Sequence, residues 1–303
     1  SFDTPEGALN FAGNLAPAPL ALHENAFATK PDPYLSQLVA PVFPGCHAPV
    51  DAQATVASGV FERAAAVASD LNAQLIATAA TRPGRCLEIG AGRGTKTYVM
   101  MCQAKRAGYD RQHTALDLHD RKCDQNLARL HKAGIKGVRT VSGDACELDA
   151  VLTSFDAMLG KPVLFDTVFI DAPCSGTGTM RRHPEIPWRL TEKDVTFELP
   201  RLQLTMLKEA AARVAAGGEL IYATCSVFDE ENTQVVDAFL ASPEGADFTV
   251  APLSEAQILQ LPEFAQAKKL VSVRQNDRGL FQSVPVNADS HDGHFCARLV
   301  RNS

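Results

Sequence analysis

The stretch RCLEIGAGRGTK, from Arg85 to Lys96, is a short apolar run that breaks into three alternate glycines and then opens a helical pattern reaching Lys105. Such a sequence reads as strand, tight turn and helix. The unit recurs downstream. HTALDL is a second apolar run, with a helical pattern from about Asp120 to Ala133; GVRTVSGD is a third, DTVFIDAPC a fourth and ELIYATCS a fifth. Helical segments over Pro200–Ala215 and Asp229–Leu240 flank the last of them. Strands alternating with helices predict a mostly parallel sheet covered on both faces, a doubly wound, Rossmann-like α/β fold. GLFQSVPV and HFCARLV, two alternating runs around NADSHDG, predict a closing C-terminal antiparallel hairpin. No repeat of solenoid period and no low-complexity tract interrupts this pattern.

Upstream, residues 1–50 are rich in Pro and Ala, and NLAPAPLALHEN and KPDPYLSQLVAPVFPG read as short elements between Pro breakers. We expect a short N-terminal arm or lobe over residues 1–57 and one larger domain over 58–303. FERAAAVASDLNAQLIATAA has apolar residues three and four apart and neither Pro nor Gly. It predicts a helix from Ser58 to Thr81, closed by Arg82-Pro83-Gly84.

The chain has 303 residues, 46% hydrophobic and 21% charged, enough to bury a substantial core. No apolar run is long enough to span a membrane. SFDTPEGALN lacks a basic-then-apolar leader, and eight scattered cysteines form no CxxC pair. Both features lead us to expect a protein of a reducing cytoplasm. The net charge of −6 excludes a generally basic, nucleic-acid-coating protein. Charge is nonetheless partitioned. From Arg93 to Arg139 there are eleven Lys/Arg against four Asp/Glu, whereas Thr140–Pro173 has one against six. If the basic segment meets nucleic acid, affinity falls steeply with salt; a solvated helix face is the commoner cause of such a run.

Three cofactor classes compete for the glycine loop. A dinucleotide fingerprint needs GxGxxG, and here the third glycine, Gly94, comes one residue early. A P-loop needs Gly-Lys-Ser/Thr, and Thr95 separates Gly94 from Lys96. The ExGxGxG spacing of Glu88, Gly90, Gly92 and Gly94 is that of S-adenosylmethionine loops. Asp117 ends the second strand, where it can hold a ribose's hydroxyls, and Asp144 follows the third, where it can meet an adenine amino group.

Cys174, in DAPCSGTG, follows the fourth strand, and Cys225, in TCS, follows the fifth. Both therefore stand at the carboxyl edge of the sheet, where ligands bind in open α/β folds. Cys46, Cys86, Cys102, Cys123, Cys146 and Cys296 read as small buried hydrophobes.

With GAGRGTKT, LDLHDRK, SGDA, DAPCSGTGTMRRHPEIPWR, YATCSVFDEEN and DGHFCARL, the chain resembles the Sun/RsmB-type RNA cytosine-5 methyltransferases, the group also named for Nop and NSUN proteins, and bacterial members in particular. The resemblance covers about Ser58 to Leu299. DAPCSGTG followed by TCS separates it from DNA cytosine-5 methyltransferases and from amino-group methyltransferases with NPPY or DPPY. The family's first motif often reads AAPGGKT; here it is GAGRGTKT, with Lys96 in place. The N-terminal region looks shorter than the family's RNA-binding lobe.

The resemblance implies a methyltransferase sheet, S-adenosylmethionine as donor and RNA as acceptor, with ribosomal RNA our first expectation and transfer RNA our second. It implies Cys225 as the nucleophile that adds to cytosine and Cys174 as the thiol that helps resolve the adduct. Asp171 is expected at the cytosine's ring nitrogen or amino group; if burial holds it protonated, it could stabilise the developing negative charge. Lys96 is expected to orient the donor or Asp171, because a lysine in a first helical turn otherwise opposes the helix dipole. Donor contacts are expected from Glu88, Gly90, Ala91, Gly92, Arg93, Gly94, Thr95, Lys96, Asp117, Arg121, Asp144 and Asp171. Arg181, Arg182, His183, Trp188 and Arg189 interleave cations with the chain's one tryptophan and are expected to contact RNA.

His291, His294 and Cys296 do not read as a metal site, because Asp292-Gly293 is a turn and no fourth ligand is near. Glu230-Glu231-Asn232 reads as a helix cap. The competing reading is a non-catalytic RNA-binding or assembly protein that keeps the fold. The presence of both cysteines, Lys96 and the acids weighs against it.

Overall fold

The computed structural model describes residues 17–303. The opening stretch read for a leader, and the first residues of the Pro- and Ala-rich region, lie outside the described residues.

The chain first builds a small antiparallel sheet from β1 (Leu22–Glu24), β2 (Cys46–His47) and β3 (Ala66–Ala68), in the order β2-β1-β3. The large sheet follows: β4 (Gly84–Ile89), β5 (Arg111–Asp117), β6 (Val138–Ser142), β7 (Phe165–Asp171), β8 (Val214–Thr224), β9 (Phe248–Ala251), β10 (Phe281–Ser283) and β11 (His294–Arg301). Its order is β10-β11-β8-β7-β4-β5-β6, with β9 also on β11. Strands β4 to β8 pair in parallel, and β11 joins β8, β9 and β10 antiparallel. The doubly wound fold and the C-terminal hairpin are as the sequence predicts, with Phe281 opposite Cys296 and Ser283 opposite His294.

Alternation along the strands explains why both faces need cover. Val168, Ile170, Leu220 and Tyr222 pack against Leu148, Leu152, Leu207 and Phe239 on one side. Phe169, Ile221 and Ala223 pack against Leu75, Ile76, Val99 and Met100 on the other. The chain runs outward from β4 through β5 to β6, then returns to β7 on the opposite flank of β4. The strand order thus reverses at the β4–β7 seam, which opens a crevice at the carboxyl ends of those strands.

The helix expected from Ser58 to Thr81 is shorter, Leu71–Ala79. Its start is set by Asp70, whose carboxylate accepts from the backbone N–H of Asn72 at 2.8 Å and of Ala73 at 3.4 Å. Upstream, Ala66–Ala68 is drawn into β3 opposite Leu22–Glu24. Tertiary strand pairing overrides the helical spacing there, and the small sheet closes at Ala68. The helix expected over Pro200–Ala215 spans Leu199–Ala211, because Val214 already belongs to β8. Asp229–Leu240 is a 3-10 turn over Asp229–Glu231 and a helix over Thr233–Leu240, broken at Asn232. The sequence pattern did not place β9 or the helix Ala265–Ser272, which supplies Ala267 and Val271 to the second core cluster.

Candidate active site

The glycine loop leaves β4 with Gly90, Gly92 and Gly94 at φ of +75°, +57° and +81°. Gly94 caps the helix Thr95–Arg106. A side chain at Gly90 would overlap the Asp171 carbonyl, which is why the loop can lie against the end of β7. A Cβ at Gly92 would meet only the Gly90 carbonyl oxygen at 3.9 Å, so the loop presents open space there.

Asp117 ends β5 as expected and is largely buried. Its Oδ2 accepts from the backbone N–H of Gly92 at 2.9 Å and its Oδ1 from that of His119 at 3.0 Å. Lys122 Nζ stands 3.6 Å from Oδ1. Asp144 is exposed just beyond β6 and caps the turn Ala145–Glu147 through the Cys146 N–H at 2.8 Å. Ala91 N donates to Leu116 O at 2.9 Å, tying the loop to β5. Arg93 and Arg121 are exposed, and Thr95 Oγ1 accepts from Arg129 Nη1 at 2.6 Å.

Glu88 departs from its expected role. It is fully buried beneath the loop, where Oε2 accepts from Thr97 Oγ1 at 2.6 Å and meets His113 Nε2 at 2.8 Å. The alternation of β4 turns this side chain toward the helix packed on the sheet, so it braces the loop and faces no open space.

Lys96 and Asp171 meet across the crevice, Nζ to Oδ2 at 2.6 Å. Burial works against the lysine's charge, but Asp171 outweighs it and holds the ammonium above its ordinary range. Asp171 keeps 29% of its side chain exposed. The Asp171 carboxyl group therefore lies at the open end of the crevice, tied to the lysine.

Cys174 and Cys225 converge from the ends of β7 and β8, Sγ to Sγ at 3.3 Å, and the Cys225 N–H also lies 3.3 Å from Cys174 Sγ. Both are partly exposed, as is Cys146, whereas Cys46, Cys86, Cys102, Cys123 and Cys296 are buried. The hydrogen bond from Cys174 lowers the Cys225 thiol below its usual range, against burial and Asp171 and with help from Lys96. The same bond, together with burial, pushes Cys174 well up. Of the two thiols, Cys225 is therefore the one that gives up its proton more readily.

The basic loop divides. Trp188 is 89% exposed, and His183 and Arg189 also reach solvent. A cavity of about 590 Å³ opens between Cys174, Ile186, Arg189, Leu190 and Leu202. Arg181 is not available in the same way. Its buried guanidinium donates to the carbonyls of Ser290 and, at 3.3 Å, Asn287. Arg182 pairs with the buried Asp292 and stays half exposed. These two arginines lock the loop to the turn before β11. Glu231, read from sequence as a cap, is the residue whose position was missed. It is fully buried and bonds to Ser175 and Ser226, the residues after the two cysteines. Its place in YATCSVFDEEN was the one available signal.

His291 and His294 both approach Asp70, at 3.3 and 3.5 Å, and Cys296 is buried in β11. Among the described residues no helix is long and apolar enough to cross a membrane.

A family model described as 16S rRNA methyltransferase RsmB/F matches residues 76–300. Ribosomal RNA small subunit methyltransferase B of Klebsiella pneumoniae is 34% identical over 175 residues, 57% of this chain and 37% of that protein. The protein of the same name from Salmonella arizonae is 31% identical over 216 residues, 71% of this chain and 42% of its own length. The chain thus spans about two fifths of the length of these relatives. Among solved structures, a methyltransferase homolog protein from Pyrococcus horikoshii superposes with a TM-score of 0.69 at 19% identity, covering 98% of this chain and 91% of that one. NSun6 from Pyrococcus horikoshii, solved with SFG, gives 0.62 at 19% identity, covering 86% and 58%. At these identities the two structures speak for the fold.

Proposed function

The chain belongs to the RsmB/F family of 16S rRNA methyltransferases, and on that premise we propose that it transfers a methyl group from S-adenosylmethionine to carbon 5 of a cytosine in RNA through a covalent Cys225 adduct. Ribosomal RNA is the first acceptor to test and transfer RNA the second. The observation that carries the reading is the thiol pair at 3.3 Å beside the Lys96–Asp171 ion pair.

The residues present fit the donor. The left-handed glycines and the open space over Gly92 make a cradle, and Asp117 and Asp144 bring carboxylates to the ends of β5 and β6. Bound there, S-adenosylmethionine supplies an electrophilic methyl group.

Carbon 5 of cytosine is a poor nucleophile. Addition of the Cys225 thiolate at carbon 6 makes carbon 5 electron-rich. Asp171, oriented by Lys96, accepts from the cytosine's amino group, and the Lys96 ammonium beside it supplies the positive charge that offsets negative charge developing on the ring. After methylation the proton on carbon 5 leaves to a base, and the Cys225 bond to carbon 6 then breaks. Cys174, 3.3 Å from Cys225, stands as that base: having released its own proton to solvent once Cys225 is bonded to the ring, it takes the carbon-5 proton, the electron pair left behind restores the ring double bond, and Cys225 leaves as a thiolate. The target base must leave any stack to reach these groups. The cavity beside Cys174, with exposed Arg189 and Trp188 next to it, supports splayed RNA as the acceptor. Free thiols as reactants suit a reducing compartment, and we assign the reaction to the cytoplasm.

The test is Cys174→Ala incubated with S-adenosylmethionine and total bacterial RNA, then separated under denaturing conditions. We expect a protein–RNA adduct that disappears in Cys174→Ala/Cys225→Ala, and sequencing the trapped RNA names the substrate. Donor binding without an adduct on any RNA would overturn the covalent reading and favour a binding role.

A further inference from the structure

Glu231 has no exposed surface and sits between the two loops that carry the thiols. Its Oε1 accepts from the backbone N–H of Ser175 at 2.8 Å and from Gln203 Nε2 at 3.1 Å. Its Oε2 accepts from the Ser226 hydroxyl. Its own carbonyl accepts from the Tyr222 hydroxyl at 2.5 Å, which anchors the turn to the core of β8. Ser175 follows Cys174 and Ser226 follows Cys225. One carboxyl group therefore grips both loops one residue beyond each sulfur.

We propose that Glu231 is the positioning residue of the thiol pair, setting the separation between Cys174 and Cys225. The proposal rests on reading the pair as nucleophile and resolving thiol. A thiol is a weak hydrogen-bond donor and cannot by itself hold two strand-end loops together. The loops do touch directly, through Gly178 N to Cys225 O at 2.9 Å and Ser175 Oγ to Ser226 Oγ at 3.1 Å. Those bonds, however, join the loops only to each other, whereas Glu231 ties both to Gln203 on the helix Leu199–Ala211 and to Tyr222 in β8. Asn232 adds a second brace on the Cys225 side, accepting from Thr224 Oγ1 at 2.6 Å and donating to Ser226 O at 3.0 Å. The buried carboxyl has an electrostatic effect as well. Behind the Cys174–Cys225 bond, burial and the charge of Cys225, it adds to the upward push on Cys174, and it is the smallest of the influences on Cys225, which the bond from Cys174 keeps below its usual range.

Reach and charge can be separated by two variants of the full chain. Glu231→Asp keeps the acid but is one methylene too short to bridge both loops. Glu231→Gln keeps the reach, with its carbonyl accepting from Ser175 and Gln203 and its amide donating to Ser226. The ruler is diamide, which removes two hydrogens from a close dithiol to leave a disulfide, read as lost free thiols by mass spectrometry. Misplacement on the order of 1 Å costs about a hundredfold in a reaction of juxtaposed groups. We expect cross-linking of Cys174 to Cys225 and turnover to fall by at least about tenfold in Glu231→Asp, with donor KM and melting temperature held. Glu231→Gln should cross-link at close to the unsubstituted rate. Wild-type cross-linking in Glu231→Asp would overturn the proposal, as would equal loss in both variants or a fall in donor binding and melting temperature that tracks the loss. If Cys174→Ala forms no RNA adduct in the trap above, the reading of the pair fails separately, because the diamide rate of the intact thiol pair does not depend on RNA.

Discussion

Lys96 Nζ lies 2.6 Å from Asp171 Oδ2, joining the first turn of the helix after the glycine loop to the last residue of β7. A lysine in a first helical turn faces the positive end of the helix dipole, and Asp171 offsets that cost. Replacing Lys96 by Met leaves Asp171 unpaired beside the thiols. We expect turnover to fall about a hundredfold, the usual cost of removing one charge-stabilising group, with the fold intact by circular dichroism. Turnover within about twofold of the unsubstituted protein would contradict a role for the pair in the reaction.

The Cys225 thiol is held below its usual range first by the hydrogen bond from Cys174. Its thiolate is therefore present at lower pH than an ordinary cysteine's. Removing the donor in Cys174→Ala should move the midpoint of Cys225 alkylation by iodoacetamide upward, when followed by peptide mass spectrometry between about pH 6 and 10. A midpoint that stays put or falls would show that Cys174 does not stabilise the thiolate.

His113 and Glu88 form a fully buried pair under the glycine loop. Burial lowers the imidazole, but Cys86 and Glu88 outweigh it and raise the group above its ordinary value. A histidine raised on folding stabilises fully below its unfolded value of about 6.5 and loses that contribution as pH climbs through the folded value. We expect the urea midpoint to decline as the pH rises above about 6.5, and His113→Gln to flatten that decline. An equally steep decline in the variant would place its origin elsewhere.

Gly90 and Gly108 both adopt left-handed backbone, at φ of +75° and +66°, but only Gly90 has a neighbour where a side chain would go. Gly108→Ala should cost about 1 kcal/mol, the backbone penalty alone. Gly90→Ala adds a clash with the Asp171 carbonyl, and we expect a loss of about 2–4 kcal/mol in chemical denaturation, with donor binding abolished. Equal costs at the two sites would mean that the loop does not need to lie against β7.

Much of this site was legible along the chain. The alternate glycines after CLEIG, the acids at the ends of HTALD and SGD, and the cysteines after DTVFIDAP and ELIYAT each mark a strand end, and the short apolar runs alternating with helical segments identify those strands. The failures have particular causes. Spacing over residues 61–80 suits a helix, but Ala66–Ala68 finds a partner in β1, which no local pattern reveals. Glu88 sits in the acidic position of the loop motif, yet the pleat of β4 sends it inward to Thr97 and His113. Arg181 looks like its basic neighbours until Ser290 and Asn287 take up its donors.

By itself, the sequence determined the kinds of elements, their alternation and the chemistry waiting at each strand end, because these depend on neighbours a few residues apart. Only the tertiary structure decided which of those groups meet. Lys96 reaches Asp171 across 75 residues and Cys174 reaches Cys225 across 51. Those distances follow from the β4–β7 and β7–β8 pairings, whose register is held by packing on both faces of the sheet. Glu231 then draws the Cys174 and Cys225 loops together from below, a connection made through buried hydrogen bonds.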